Sequence, residues 1–161
     1  MKKVEDRDCR VILHDIRSTH NVGSIFRTSD AAGISKIYIS GYTPAPTDQF
    51  NRKRKDIAKT ALGAEDSVLW EKVKDVKKLI FDLKKQGFQI IAVEQNKKSV
   101  DYKKVKLGEK SVIIVGNEVE GVAKNILSLC DVVAEIPMQG KKESLNVSVA
   151  FGVALFRMLG I

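Results

Sequence analysis

The chain has 161 residues, 43% of them hydrophobic, and a formal net charge of +8 at pH 7. This length fits one domain with a sizeable core, and the composition excludes a disordered chain. The longest apolar stretch, Leu145 to Leu159, is too short and too polar to span a bilayer. Acidic residues rather than an apolar run follow Met1–Lys3, so we expect no signal peptide and a cytosolic location.

The basic excess indicates a polyanionic partner, most often nucleic acid, although a merely soluble, Lys-rich surface would have the same charge. Few aromatic residues are present, so RNA would be held mainly through its phosphates. The candidate phosphate contacts are the run Arg52, Lys53, Arg54 and Lys55, with Lys141 and Lys142 as a second group. The two cysteines and two histidines have no metal-ligand spacing, so no metal site is expected.

Strands and helices are predicted to alternate along the chain. Runs of Val and Ile predict strands at 10–16, 36–40, 68–70, 88–93, 111–115 and 132–138, with a weak element around 100–102. Helical periodicity, capping residues and terminal glycines predict helices at 24–32, 56–62, 73–86, 122–129 and 144–159. Thr19 or Asn21 would cap the first helix, and Ser144 the last. The pattern predicts an α/β fold: one domain over 1–161, with a parallel sheet covered by helices on both faces.

Three turns follow predicted strands, at 21–27, 116–121 and 137–146, and ligands bind at the carboxyl ends of such strands. In the third turn, Ser144 and Asn146 open an otherwise apolar helix and offer donors and acceptors to a ligand. Neither G-x-G-x-x-G nor G-x-x-x-x-G-K-[ST] occurs, so a dinucleotide dehydrogenase and a P-loop NTPase are not supported. Taken singly, each turn is also compatible with a purely structural role.

Taken together, the three turns resemble the motifs of the SpoU/TrmH group of RNA ribose 2′-O-methyltransferases, within the SPOUT class. The three matching segments are Asn21-Val-Gly-Ser-Ile-Phe-Arg27-Thr, Ile113-Ile-Val-Gly-Asn-Glu-Val-Glu-Gly121, and Ile136-Pro-Met with Ser144-Leu-Asn-Val-Ser-Val-Ala150. The match covers nearly the whole chain, without the extra N-terminal substrate-binding domain that many relatives carry. The resemblance implies a deep C-terminal trefoil knot, which is an exception to the rule against knots. It also implies a homodimer with the site near its interface. The last helix is apolar all round, as burial on two sides or a central core position would require.

The implied activity is transfer of a methyl group from S-adenosylmethionine (SAM) to a ribose 2′-hydroxyl of tRNA or rRNA. By position, the resemblance implies SAM contacts at Val93, Glu94, Gly116, Ile136, Met138, Ser144 and Leu145. At Gly116, a side chain would block close approach of the backbone to the ligand. Two alternatives remain open: an RNA-binding module without catalysis, and a knotted methyltransferase that acts on a base.

The resemblance assigns proton handling to Arg27, with Asn21, Glu118, Ser144 and Asn146 positioning Arg27 and the ribose. An arginine side chain stays protonated at neutral pH and is therefore a poor base. We therefore expect Arg27 to bond the ribose oxygen or its phosphate and to stabilise the developing alkoxide. It would lie one turn into the first helix, face the same mouth as Asn21, and pair with Glu118.

Overall fold

The computed structural model describes residues 7–161; Met1–Asp6, which bear on the expected lack of a signal peptide, lie outside it. Within 7–161, one sheet has the strand order β3-β2-β1-β6-β4-β7-β5, and every neighbouring pair is parallel. The predicted parallel sheet is therefore confirmed. The strands are β1 (Asp8–His14), β2 (Lys36–Ser40), β3 (Trp70–Val73), β4 (Gln89–Val93), β5 (Val100–Asp101), β6 (Lys110–Val115) and β7 (Val132–Glu135).

Helices cover both faces of the sheet, as predicted. They are α1 (Thr19–Ala31), α2 (Lys55–Ala61), α3 (Ala64–Ser67), α4 (Val76–Lys85), α5 (Lys124–Leu127) and α6 (Val147–Leu159), with a 3-10 turn at Tyr102–Lys104. Successive strand residues point to opposite faces. In β1, Val11 and Leu13 therefore pack into one core with α1, α2 and α6. Ile12 packs into the other core, with α4 and α5.

Two helices begin at caps other than the predicted ones. Helix α1 begins at Thr19 because the Ser18 hydroxyl accepts a hydrogen bond from the Asn21 backbone N–H, at 3.2 Å. Helix α6 begins at Val147 because Oδ1 of Asn146 accepts hydrogen bonds from the backbone N–H groups of the next turn. The predictions that Thr19 or Asn21 caps the first helix and that Ser144 caps the last are therefore wrong.

Two other elements are shorter than predicted. The predicted strand at 132–138 ends at Glu135, the last residue that pairs with β5, just before a proline that has no N–H to donate. The predicted helix at 122–129 is confined to Lys124–Leu127. It begins after Ala123, whose backbone ψ of 144° is extended and makes that residue the N-cap.

Among residues 7–161, no helix is both long and apolar enough to cross a bilayer. The deep trefoil knot stays a prediction.

Candidate active site

A cavity of about 330 Å³ lies at the carboxyl ends of β4, β6 and β7, against the first turn of α6. Parallel α/β sheets bind ligands at this edge, and the volume is in the range of small-molecule sites. The structure gathers there all the residues that the sequence predicted as SAM contacts. The cavity is lined by Val93, Glu94, Gly116, Ile136, Met138, Ser144 and Leu145, among others.

Two glycines shape the cavity wall. A Cβ on Gly116 would lie 2.6 Å from the carbonyl oxygen of Gly121. The loop's own backbone therefore requires a glycine at 116, a reason distinct from the expected approach of a ligand. Gly121 has φ +69°, and a Cβ there would collide with the Glu94 carboxylate. That carboxylate accepts hydrogen bonds from the backbone N–H groups of Gln95, at 2.8 Å, and Val122, at 2.9 Å. Glu94 thus ties the end of β4 to the loop after β6.

The charged residues that line the cavity are all acidic. They are Glu94, Glu118, Glu120 and Glu143, and the lining contains no lysine, arginine or histidine. Such a wall favours a ligand that carries positive charge. SAM carries a sulfonium, an ammonium and a carboxylate group, so its net positive charge suits the acidic lining, and the volume is in the range of small-molecule sites.

Three of the predicted catalytic residues form one hydrogen-bonded chain. Nδ2 of Asn146 donates to Oδ1 of Asn21 at 3.1 Å, and Nδ2 of Asn21 donates to Oε1 of Glu118 at 3.1 Å. Asn21 is 6% exposed, which makes these bonds costly to lose. The chain joins the start of α1 to two distant segments: Asn21 is 125 residues from Asn146 at the start of α6 and 97 from Glu118 in the turn after β6.

Glu118 anchors the start of α1 and does not pair with Arg27. Its two carboxylate oxygens accept the backbone N–H groups of Arg17 and Ser18, each at 3.0 Å. Burial raises the pKa of Glu118, but these bonds and the one from Asn21 more than offset it, so the net pKa is lowered. The expected Glu118–Arg27 ion pair is wrong: among the described residues, Arg27 has neither an ion pair nor a side-chain hydrogen bond.

Arg27 also lies elsewhere than expected. Because α1 begins at Thr19, Arg27 is in its third turn, about 12 Å along the axis from the helix start. Its exposed side chain lines a separate depression with His20, Thr60 and Phe156. The depression and the SAM-sized cavity share no lining residue. Within one chain, Arg27 therefore does not face the cavity that Ser144 and Glu118 line.

Ser144 and its neighbours form an exposed rim of the cavity. The rim is held by Nε2 of Gln95, which donates to the carbonyl oxygen of Glu143 at 2.9 Å. Among the described residues, the Ser144 hydroxyl makes no hydrogen bond, so it is available to a ligand.

The predicted phosphate contacts divide into two groups. Carboxylates neutralise three cations of the first run: Arg52 pairs with Asp48, Lys53 with Glu65 and Asp66, and Arg54 with Asp56. Within the described part of the chain, Lys55, Lys141 and Lys142 are exposed and have no ion pair. Lys141 and Lys142 line a shallow depression that shares Ile136, Met138 and Glu143 with the cavity.

Asn117 is a site residue that the sequence analysis did not select. Its Oδ1 accepts the backbone N–H groups of Val119 and Glu120, each at 2.8 Å. Its Nδ2 donates to the carbonyl oxygen of Asp15, at 3.1 Å, and to the Tyr42 hydroxyl, at 2.6 Å. An asparagine that directly follows a strand-end glycine is a known signal for a side-chain-stabilised turn. Only the fold, however, brings Tyr42 and Asp15 to it.

Comparison with known proteins matches the chain to one family. The sequence model of the SpoU rRNA Methylase family matches residues 8–156. A tRNA (guanosine(18)-2′-O)-methyltransferase of Aquifex aeolicus is 35% identical over 150 residues, which are 93% of this chain and 68% of that protein. Curated relatives from Staphylococcus aureus are 31% identical, and the matched part is 60% of their length.

Solved structures agree in fold. The A. aeolicus TrmH/SpoU tRNA modifying enzyme superposes with a TM-score of 0.83 at 30% identity, over 99% of this chain and 80% of that one. The SAM-bound rRNA methyltransferase from Sinorhizobium meliloti also has a TM-score of 0.83, at 27% identity, over 94% of this chain and 55% of that one. The family match over residues 8–156, with residues of the second and third motifs lining one cavity, shows that this chain belongs to the SpoU rRNA methylase family.

Proposed function

We propose that this chain transfers a methyl group from SAM to the 2′-hydroxyl of a ribose in tRNA or rRNA. The cavity of about 330 Å³ at the ends of β4, β6 and β7 carries the proposal, because residues of the second and third motif segments line it. Asn21 of the first segment is hydrogen-bonded to Glu118 and Asn146 of the other two. Family membership supports methyl transfer to RNA. The relatives are named for both tRNA and rRNA, which supports that substrate class.

SAM supplies an activated methyl group when it is bound. The residues of this chain hold it and align the acceptor. SAM would supply the methyl group that bonds to the 2′-oxygen, with the pair of the broken carbon–sulfur bond left on sulfur and the hydroxyl proton passing to solvent water. Holding the two reactants in line can supply up to ~7–11 kcal/mol in the best intramolecular systems. The guanidinium of Arg27 stabilises the 2′-oxygen as its charge develops.

The carboxylate wall also has a role in turnover. Glu94, Glu118, Glu120 and Glu143 favour the sulfonium charge of the cofactor. The product, S-adenosylhomocysteine, has lost that charge, so the same wall holds it less tightly. The rim of the cavity is positioned by the hydrogen-bonded chain of Asn146, Asn21 and Glu118.

We extend the proposal to a homodimer in which Arg27 of one subunit serves the cavity of the other. The cavity and the Arg27 depression open beside the two ends of α6, at Ala150 and Phe156. Near these openings α6 exposes Val149 (49%) and Val153 (41%), which lie four residues apart on one face. Two copies that pack through this apolar face would bury it and bring each Arg27 towards the partner's cavity.

Two further statements accompany the proposal. Residues 8–156, the extent of the family match, act as the catalytic domain. The protein works in the cytoplasm, an assignment supported by its free thiols at Cys9 and Cys130, since a reducing compartment keeps thiols unpaired.

The chemistry is tested by incubating the protein with unmodified tRNA and rRNA and SAM, digesting the RNA, and identifying the methylated nucleoside by mass spectrometry. We expect a 2′-O-methylnucleoside. A base-methylated product would favour the knotted base methyltransferase, and calorimetry without SAM binding would favour a non-catalytic RNA-binding module.

The dimer is tested by sedimentation and by mixing two inactive variants. Arg27→Ala lacks the guanidinium, and Met138→Trp fills the cavity with a larger ring. If Arg27 acts across the interface, mixed dimers contain one intact site and regain part of the activity. A monomer at micromolar concentration, or no recovery from exchanged subunits, would overturn this arrangement.

A further inference from the structure

The loop between β2 and α2 exposes two aromatic rings. This loop, residues 41–54, follows the carboxyl end of β2, at the same edge of the sheet as the cavity. Tyr42 is 56% exposed and Phe50 is 66% exposed. Each ring forgoes the stabilisation that burial would give it and so remains available to a partner.

Tyr42 is anchored at both ends while its ring stays open. Its backbone N–H donates to Oδ1 of Asp15 at 3.2 Å, and its hydroxyl accepts from Nδ2 of Asn117 at 2.6 Å. Gly41, at φ +63°, leaves no room for a Cβ against the Asp15 carboxylate and so brings the two turns together. Asn117 also lines the cavity. The fold therefore holds a flat apolar surface in fixed position beside the site of methyl transfer.

Phe50, the second exposed ring, lies beside the guanidinium group of Arg52. Its backbone N–H donates to Oδ1 of Asp48 at 2.8 Å. The Arg52 guanidinium, held by the same carboxylate, lies 4.9 Å from the centre of the Phe50 ring. Exposed rings with adjacent cations are the combination by which proteins hold unpaired nucleotides, because bases stack on the rings and phosphates meet the charges.

We propose that the loop 41–54 is a stacking surface for single-stranded RNA, with Tyr42 under the base nearest the target ribose and Phe50 under a base farther along. The inference rests on the proposed function, since it takes RNA as the substrate. It assigns to Arg52 the role of supporting the Phe50 ring, since the charge of Arg52 is already paired with Asp48. It also restricts the substrate, because a base must be unpaired to lie on either ring.

The test compares four variants for binding of a fluorescently labelled single-stranded RNA and of a duplex of equal length. We expect Tyr42→Ala and Phe50→Ala each to weaken single-strand binding by about five- to 150-fold, with a much smaller effect on the duplex. Tyr42→Phe keeps the ring and should bind like wild type. The control is Phe81→Ala, because Phe81 is 53% exposed on α4, on the other face of the sheet, and should have no effect.

Three results would overturn the stacking surface. The first is that Tyr42→Ala and Phe50→Ala bind single-stranded RNA as tightly as Phe81→Ala does. The second is that these variants lose as much affinity for the duplex as for the single strand. The third is that Tyr42→Phe binds single-stranded RNA as weakly as Tyr42→Ala. The last would mean that Tyr42 acts through its bond to Asn117. If Tyr42→Ala failed to fold, Phe50→Ala would still decide the question, since the Phe50 ring makes no hydrogen bond. A wild-type protein that binds RNA through these rings but forms no 2′-O-methylnucleoside would refute the proposed function and leave the surface standing.

Discussion

Replacing Gly116 by alanine tests how the cavity is built. The new Cβ would lie 2.6 Å from the oxygen and 2.7 Å from the carbon of the Gly121 carbonyl group, and 2.8 Å from Cγ2 of Val122. Because two of these neighbours are backbone atoms, a rotamer change cannot relieve the collision. Overpacking of this kind costs ~1–3 kcal/mol. At ~2–4 °C per kcal/mol for a chain of this size, the melting temperature should fall by about 2–12 °C.

The same shift should weaken SAM binding, because Gly121 and Glu94 move with the loop that walls the cavity. Thermal unfolding with and without SAM, beside calorimetric titration, measures both effects. The matched control is Gly140→Ala, in the loop 136–146, where an added Cβ meets nothing within 4 Å. It should leave stability unchanged or raise it by up to ~1 kcal/mol. If Gly116→Ala has the same melting temperature and SAM affinity as Gly140→Ala, the loop can accommodate a side chain at 116 and the reasoning is refuted.

Three further predictions concern charged residues. Arg27→Ala should lower the rate of single-turnover methyl transfer ~10²–10³-fold. It should leave the SAM affinity measured by calorimetry unchanged, because Arg27 lies outside the cavity. Arg27→Lys should restore little of the rate, because lysine lacks the planar guanidinium group. The pKa of Glu118 is lowered from 4.5, so its contribution to stability is complete above pH 4.5 and is lost as pH falls through the folded-state pKa. Glu118→Gln should therefore be less stable at pH 7 and lose less stability on acidification, as measured by denaturant unfolding at several pH values. Charge reversal of Lys141 and Lys142 should flatten the salt dependence of RNA binding more than reversal across Arg52–Lys55, where carboxylates already neutralise three cations.

Each of these has a contrary outcome. Loss of SAM affinity in Arg27→Ala would place that residue in the cofactor site. An acid-unfolding profile of Glu118→Gln that parallels wild type would mean that its bonds to Arg17 and Ser18 contribute nothing measurable. If charge reversal across Arg52–Lys55 flattened the salt dependence of RNA binding more than reversal of Lys141 and Lys142, RNA would have to displace the carboxylates from those cations. Such displacement is feasible because surface ion pairs are individually weak.

The strand and helix pattern of this chain is a local property, and the sequence determined it. Strand β2 lies at 36–40 as predicted, because its apolar run can be satisfied only by burial in the sheet. The sequence also predicted which segments surround the cavity. Gly116 and the Ile136–Asn146 stretch follow strands, and the carboxyl ends of parallel strands meet at one edge of the sheet.

The tertiary structure alone decided how the polar groups pair. Glu118 looked like a partner for Arg27, but the fold brings it to the backbone of Arg17 and Ser18, about a hundred residues away in sequence. The cations at 52–54 were predicted to contact phosphates, but in the folded chain each forms an ion pair with a carboxylate. Burial pattern follows from each residue's own side chain, whereas a hydrogen bond or ion pair depends on which distant group arrives within about 3 Å. That difference separates what the sequence determined from what only the folded chain could decide.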